Sequence, residues 1–220
     1  PALSEIDGVV GDLISFYGER GIRILILSEY GISPVNNVIY PNRIFRSEGW
    51  LSIKDELGLE YLDCGGSRAF AITDHQIAHI YLNDQSDSFR NKVRSRLENI
   101  EGIERVLDNE GKKEAGLNHS RAGDFVLFSK EHSWFAYYHW EDDQLAPDFA
   151  RCVDVHRKYG YDPTELFVNP SLPFPFLKIA RKLIGKKMGF RTSMDLIPLD
   201  ANLVNGNHGI RPQDHQDWPV

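Results

Sequence analysis

The spacing of apolar positions changes several times along this chain, and each change marks an element. Leu3, Ile6, Val10, Leu13, Ile14 and Tyr17 recur at helical spacing, with Asp and Glu on the other face. Ser4 with Asp7 three residues on resembles a weak capping box, and Gly18 and Gly21 punctuate the end. The next run, from Ile22 to Ser28, is almost unbroken and predicts a strand buried on both faces, as in a parallel sheet covered by helices. It stops at Ser28-Glu29-Tyr30-Gly31, so a carboxylate and a phenol emerge at the strand's carboxyl end. In open α/β sheets that edge is where ligands bind.

Further along, Ser33-Pro34 and Tyr40-Pro41-Asn42 mark a loop, and residues 43–48 form a short helix carrying Arg43 and Arg46. Residues 50–57 and 59–63 continue as irregular or short elements, and Gly65-Gly66-Ser67 is a turn. Strands are predicted over 69–73 and 78–82, with Asp74-His75-Gln76-Ile77 between them. Phe89, Val93, Leu97 and Ile100 then share one face of a helix over 87–100, followed by a strand over 103–107. This β-α-β stretch reads as a small inserted subdomain. Gly111-Lys112-Lys113-Glu114 is a solvated loop, and strands follow over 124–129 and 134–140. From 141 to 175 the chain is loop-rich and carries five prolines; so long a loop region in a compact domain is usually functional or mobile. Residues 176–188 form a basic amphipathic helix, read as a surface helix with Lys and Arg on its wet face.

The expected fold class is α/β, a mostly parallel sheet flanked by helices with a small α+β cap insert. Residues 1–73 are a core segment, 74–120 the insert, and 121–220 the rest of the core with its loop region 141–175.

Composition narrows the partners. The chain has 220 residues, 41% of them hydrophobic, and a net charge of −7. That balance argues against a nucleic-acid surface built on bulk positive charge. No apolar run approaches the roughly 20 residues needed to span a bilayer, so no membrane partner is expected. Cys64 and Cys152 form neither a disulfide framework nor a thiolate zinc site, and with no signal peptide at the start a cytoplasmic location is expected. The absence of an initiating Met and the closing Asp217-Trp218-Pro219-Val220 point to a piece of a longer protein.

The common enzyme signatures are missing: there is no His-Glu-x-x-His helix, nucleophile elbow, P-loop or dinucleotide fingerprint. Glu29 at its strand end suits a hard or borderline divalent metal, or alternatively caps a helix or pairs with Arg43 or Arg46. His208, between Asn207 and Gly209, sits in a turn with room for a metal or substrate, or is an exposed loop histidine. Asp74, His75 and His79 form a third group. His75 and His79 at i, i+4 can share a face, but two histidines are a thin ligand set, so a structural or substrate-contact role is preferred. Arg157 and Lys158, in a basic aromatic loop, are candidate phosphate contacts or solvated charges.

The helix 4–17, the strand ending in Ser28-Glu29-Tyr30-Gly31-Ile32, the β-α-β insert, Arg121-Ala122-Gly123-Asp124 and Asn207-His208-Gly209 together resemble the alkaline phosphatase superfamily. The branch most similar is the type I phosphodiesterase/nucleotide pyrophosphatase group with its phosphonoacetate hydrolase relatives. The resemblance covers the carboxyl-terminal half of such an enzyme and implies an alkaline-phosphatase-like core. In that family a buried strand ends in Ser/Thr-Asp-His-Gly, whose Asp and His hold one of two metals, and a later His-Gly turn serves the other. Glu29 stands at the Asp position, Tyr30 at the His position and His208 at the later His; Pro219-Val220 would begin a returning strand. Glu for Asp is chemically mild. Tyr for His is not, because a phenol with a pKa near 10 is a poor ligand at neutral pH unless a metal lowers it. Asp74 or His75 could rebuild that site.

The resemblance implies a metal-dependent hydrolase of phosphoric ester bonds, present here without the half that supplies the nucleophile. The expected cofactor is a pair of zinc ions, with manganese or magnesium as alternatives. The expected metal ligands are Glu29 and His208, with Tyr30, Asp74 and His75 as further candidates, and His79, Arg157 and Lys158 as substrate contacts. The expected partner is a small phosphorylated substrate. The alternative is a non-catalytic family member that binds a phosphorylated metabolite or a protein.

Overall fold

The computed structural model describes residues 2–210. The returning strand expected at Pro219-Val220 lies outside them. The described residues divide into two units, 2–31 and 32–210. These boundaries differ from the expected breaks after residues 73 and 120.

The first unit is a single helix, α1 (Ala2–Gly18), and the segment that follows it. The helix ends on Gly21, whose φ of 65° is the left-handed conformation that glycine adopts without strain. Ile22 N–H reaches back to the Tyr17 carbonyl at 3.1 Å and Gly21 N–H to that of Gly18 at 3.0 Å, a Schellman termination. Residues 22–28 do not form the expected strand. Among the described residues they pair with no strand, and Leu25 and Leu27 are 81% and 68% exposed. An apolar run supplies the side chains of a buried strand. The ladder and the covering faces must come from other segments, and no described segment supplies them.

The second unit holds the folded core. Its elements in order are β1 (Ser33–Pro34), β2 (Asn37–Ile39), α2 (Pro41–Ser47), β3 (Ser52–Glu56), β4 (Leu59–Asp63), β5 (Ala69–Asp74) and β6 (Ile77–Leu82). Then come α3 (Asp87–Glu98), β7 (Ile103–Leu107), α4 (Asn109–Glu114), β8 (Phe125–Ser129), β9 (Ser133–Phe135), α5 (Pro175–Lys187) and β10 (Gly206–Asn207). The fold class is α/β in content. The expected parallel dominance is absent: the pairs are antiparallel except for the short β2–β9 pair. Burial alternates residue by residue along β5 and β6, the pattern of an antiparallel sheet with one wet face.

The main sheet has strand order β5-β6-β8-β7. β6, α3 and β7 form a split β-α-β unit, with β8 inserted between its two strands. The expected insert is therefore no separate body, because its strands share one sheet with β5 and β8. The α3 helix packs as its periodicity predicts. Ser86 caps it by accepting from Phe89 N–H, and Phe89, Val93 and Leu97 are buried with Trp50, Ile80 and Leu127. On the sheet edge, buried Asn42 of α2 satisfies the β5 backbone, donating to the Ala71 carbonyl at 3.0 Å and accepting from Ala71 N–H at 2.8 Å. A second cluster gathers Trp134, Tyr137, Tyr138, Trp140 and Phe149.

Three further expectations change. The stretch 111–114 belongs to the short helix α4, capped by Asp108, and Lys112 is buried, donating to the Gly123 carbonyl at 2.6 Å. The aromatic strand expected over 134–140 ends at Phe135. α5 forms where its periodicity places it, but Lys178 and Lys182 are turned to Asp195 and its apolar side faces outward.

Candidate functional site

The second unit brings two of the sequence candidates together. β5 and β6 are joined by a two-residue hairpin, His75-Gln76, closed by the Asp74–Ile77 pair. His75 sits at φ 57°, a conformation that such turns usually give to glycine, Asn or Asp. A bulky side chain held there costs of order 1–3 kcal/mol and persists only when its surroundings fix it. They do: the His75 carbonyl accepts from Phe135 N–H at 2.7 Å, and Gln76 donates from its side chain to the carbonyls of Glu131 and Ser133.

The His75 ring meets His208 at a centroid distance of 3.9 Å and stacks on Tyr161 at 4.7 Å. Each neighbour is delivered by a glycine. Gly209 has φ 126°, and a Cβ there would lie 3.2 Å from Gln76 Cβ; this close approach lets Gln76 N–H bond the His208 carbonyl at 3.0 Å. Gly160 has φ 121°, and a Cβ there would sit 1.8 Å from the Thr73 carbonyl oxygen, so only glycine lets Tyr161 N–H bond that oxygen.

Asn207 sets the protonation of His75. Its Oδ1 accepts from His208 N–H at 3.0 Å, which fixes the orientation of the amide. The same oxygen contacts His75 Nδ1, so Nδ1 carries the proton and Nε2 keeps its lone pair. Burial lowers the His75 pKa, against the Asn207 hydrogen bond and the Asp74 carboxylate, which raise it. The ring is therefore neutral at neutral pH, the form that ligates a metal or accepts a proton. Asp74 Oδ1 lies 3.8 Å from His75 Nε2. Asn207 Nδ2 is buried with no hydrogen-bond partner.

Glu29 and Tyr30 belong to the first unit, past the end of α1. His75 and His79 do not pair as i, i+4 neighbours, because His75 occupies the turn while His79, on β6, accepts from Gly123 N–H at 3.1 Å. Arg121-Ala122-Gly123-Asp124 is a structural anchor: Asp124 accepts from Leu82 N–H and pairs with Arg90 at 3.2 Å. Arg157 pairs with Asp148 at 2.7 Å on the surface. Lys158 is buried between Asp162 at 3.1 Å and Glu165 at 2.6 Å, so its ammonium braces the loop instead of facing a substrate. Arg43 donates to the Trp140 carbonyl, and Arg46 grips Glu60 with two hydrogen bonds.

Gln76, Tyr161 and Asn207 escape a search for chemistry-bearing residues. Their signals are indirect: a Gly before Tyr161, and an amide before a His-Gly turn.

A sequence model of the family described as type I phosphodiesterase / nucleotide pyrophosphatase matches residues 1–162, well over half of the chain. The chain belongs to that family. No curated protein matches it. Two crystal structures of phosphonoacetate hydrolase from Sinorhizobium meliloti 1021, one with phosphonoformate and one with phosphonoacetate, are similar to it at 23% sequence identity and a TM-score of 0.38 each. The matches cover 55% and 56% of this chain and 30% of the hydrolase, so the chain spans less than a third of that protein's length.

The phosphodiesterase resemblance implies a divalent metal, and the described residues do not assemble a site for one. No group of three or more His, Cys, Asp or Glu among them is placed to hold an ion. His75 and His208 lie face to face at an interplanar angle of 36°. Imidazole lone pairs lie in the ring plane, so rings stacked in this way do not aim at one point, and two imidazoles fall short of a four-donor shell.

Proposed function

We propose that this chain is part of a hydrolase of phosphoric ester bonds acting on a small phosphorylated substrate. The family match over residues 1–162 carries this reading. The neutral His75, with Nδ1 held by Asn207 and Nε2 3.8 Å from Asp74 Oδ1, supports it as a group able to take a proton next to His208. A divalent metal belongs to the proposal through the resemblance, zinc first and manganese or magnesium as alternatives. Glu29 and His208 are its proposed ligands, with Tyr30, Asp74 and His75 as further ones.

The test is turnover of a chromogenic phosphodiester by the protein that carries this chain. Glu29→Ala and His208→Ala should each lower kcat/KM by about a hundredfold or more, beyond the loss typical of residues that only support a ligand. Undiminished turnover in both variants overturns the assignment.

A second reading has one observation in its favour: Tyr30 stands where the resemblance places a His. It is a non-catalytic member that binds a phosphorylated metabolite or a protein partner. Metal analysis separates the two. A protein that purifies without metal and still binds a phosphate ester follows the second.

A further inference from the structure

The helix α5 is amphipathic in the opposite sense to a core helix. Phe176, Leu177, Ala180, Leu183 and Ile184 recur at helical spacing and are exposed, while Ile179 is half-buried on the other side. None of its residues is fully buried. It is fastened through its other side, where Lys178 and Lys182 both pair with Asp195 and Lys178 also donates to the Asp195 carbonyl at 2.8 Å. Inward lysines leave the apolar side nowhere to face but outward.

The ends of the helix repeat this arrangement. Phe174, at the amino end, is held at φ 50° and ψ 58°, a left-handed conformation unusual for an aromatic residue, and it is 78% exposed. Its neighbour Phe176 is 85% exposed, and beyond the carboxyl end Met188 and Phe190 are 65% exposed each. Arg181, Met188, Phe190 and Thr192 help to line a shallow recess beside the helix, combining a guanidinium with apolar walls.

Charge decides which partner suits this face. From Phe167 to Met194 the sequence contains six Lys or Arg and no Asp or Glu, in a chain whose net charge is −7. Lys178 and Lys182 share the single carboxylate of Asp195, while Arg181, Lys186, Lys187 and Arg191 are exposed. Phe, Leu and Ile on one side with cations along the margins suit burial in the boundary between lipid headgroups and acyl chains. No described helix is long and apolar enough to cross a membrane. We infer that α5 with its flanking Phe174 and Phe190 is an interfacial helix that docks this protein on an anionic phospholipid surface. This revises the expectation that its Lys and Arg only coat a wet face. It shares no residue with the proposed hydrolase site and stands independently of it.

Cosedimentation with vesicles tests the assignment. The protein should partition onto phosphatidylcholine vesicles containing phosphatidylglycerol, and far less onto pure phosphatidylcholine. Lys186→Ala with Lys187→Ala should weaken partition about thirtyfold, as expected for two cations near an anionic surface. Phe176→Ser with Leu183→Ser should weaken it as well, without unfolding, since both side chains are already exposed. Absence of vesicle binding overturns the proposal, as does binding that neither pair of changes weakens. Loss of self-association in the Phe176→Ser/Leu183→Ser variant, without any vesicle binding, would assign the face to a second copy of the chain instead.

Discussion

Helices α3 and α5 carry the same kind of pattern and make opposite use of it. Each has apolar residues three and four apart and several basic residues. In α3 the stripe of Phe89, Val93 and Leu97 is buried against the four-stranded sheet, while Arg94 and Arg96 reach outward to Asp108, Glu98 and Glu48. In α5 two lysines turn inward and the stripe faces out. Periodicity fixes which residues share a face. The partner fixes which way that face turns: α3 lies over a sheet with an apolar surface to cover, whereas α5 is offered a carboxylate that takes two ammonium groups.

The largest test of this contrast is paired truncation. Leu97→Ala in α3 should lower the unfolding free energy by about 2–5 kcal/mol in a denaturant titration, the cost of deleting a fully buried leucine. Leu97 is 0% exposed. A loss below about 1 kcal/mol would mean that α3 covers the sheet only loosely.

Acid sharpens the same contrast through a buried polar group. His139 is buried with Nδ1 unpaired, and burial pushes its pKa down to about 4, outweighing the hydrogen bond to the Glu60 carbonyl. The unfolded chain takes up that proton near pH 6.5. Stability is therefore undiminished above about pH 6.5 and is lost progressively as the pH falls from there to the folded value. The loss amounts to about 3 kcal/mol. Unfolding curves at pH 7 and pH 4 should show this decline, and His139→Gln should flatten it.

The smallest effect belongs to the outward face. Leu183→Ala in α5 should change stability by no more than about 0.5 kcal/mol, as usual for surface positions. A loss comparable to that of Leu97→Ala would mean that the face is covered within the folded protein, and the lipid-docking assignment would fall with it.

Much of the second unit is legible in the sequence alone. The helices expected over 43–48, 87–100 and 176–188 form within a few residues of those bounds, and strands form near 69–73 and 78–82, because period, caps and turn residues are all local. That the two strands pair as a hairpin is a finding of the structure. The site is legible only in part. His75 and His208 are visible as chemistry-bearing residues, His208 in a turn, but their contact depends on Gly209 approaching Gln76 and on Gly160 approaching Thr73, from parts of the chain far apart in sequence. Asp162 and Glu165 stand only four and seven residues after Lys158, but the sequence does not show that the loop buries the ammonium between them. The stretch 22–28 shows the converse, since a strong strand signal does not make a strand when no described segment pairs with it.

By itself, the sequence determined family membership, the main helices and several of the strands, and the presence of a carboxylate after one apolar run and an imidazole in a late turn. The tertiary structure decided that the sheet is antiparallel, that His75 is a neutral ring against His208, that Lys158 is a buried brace and that α5 turns its apolar side outward. The reason is the range of the interactions. Period and capping are settled within a few residues, whereas strand pairing, burial and the protonation of a buried ring depend on groups contributed from elsewhere in the chain.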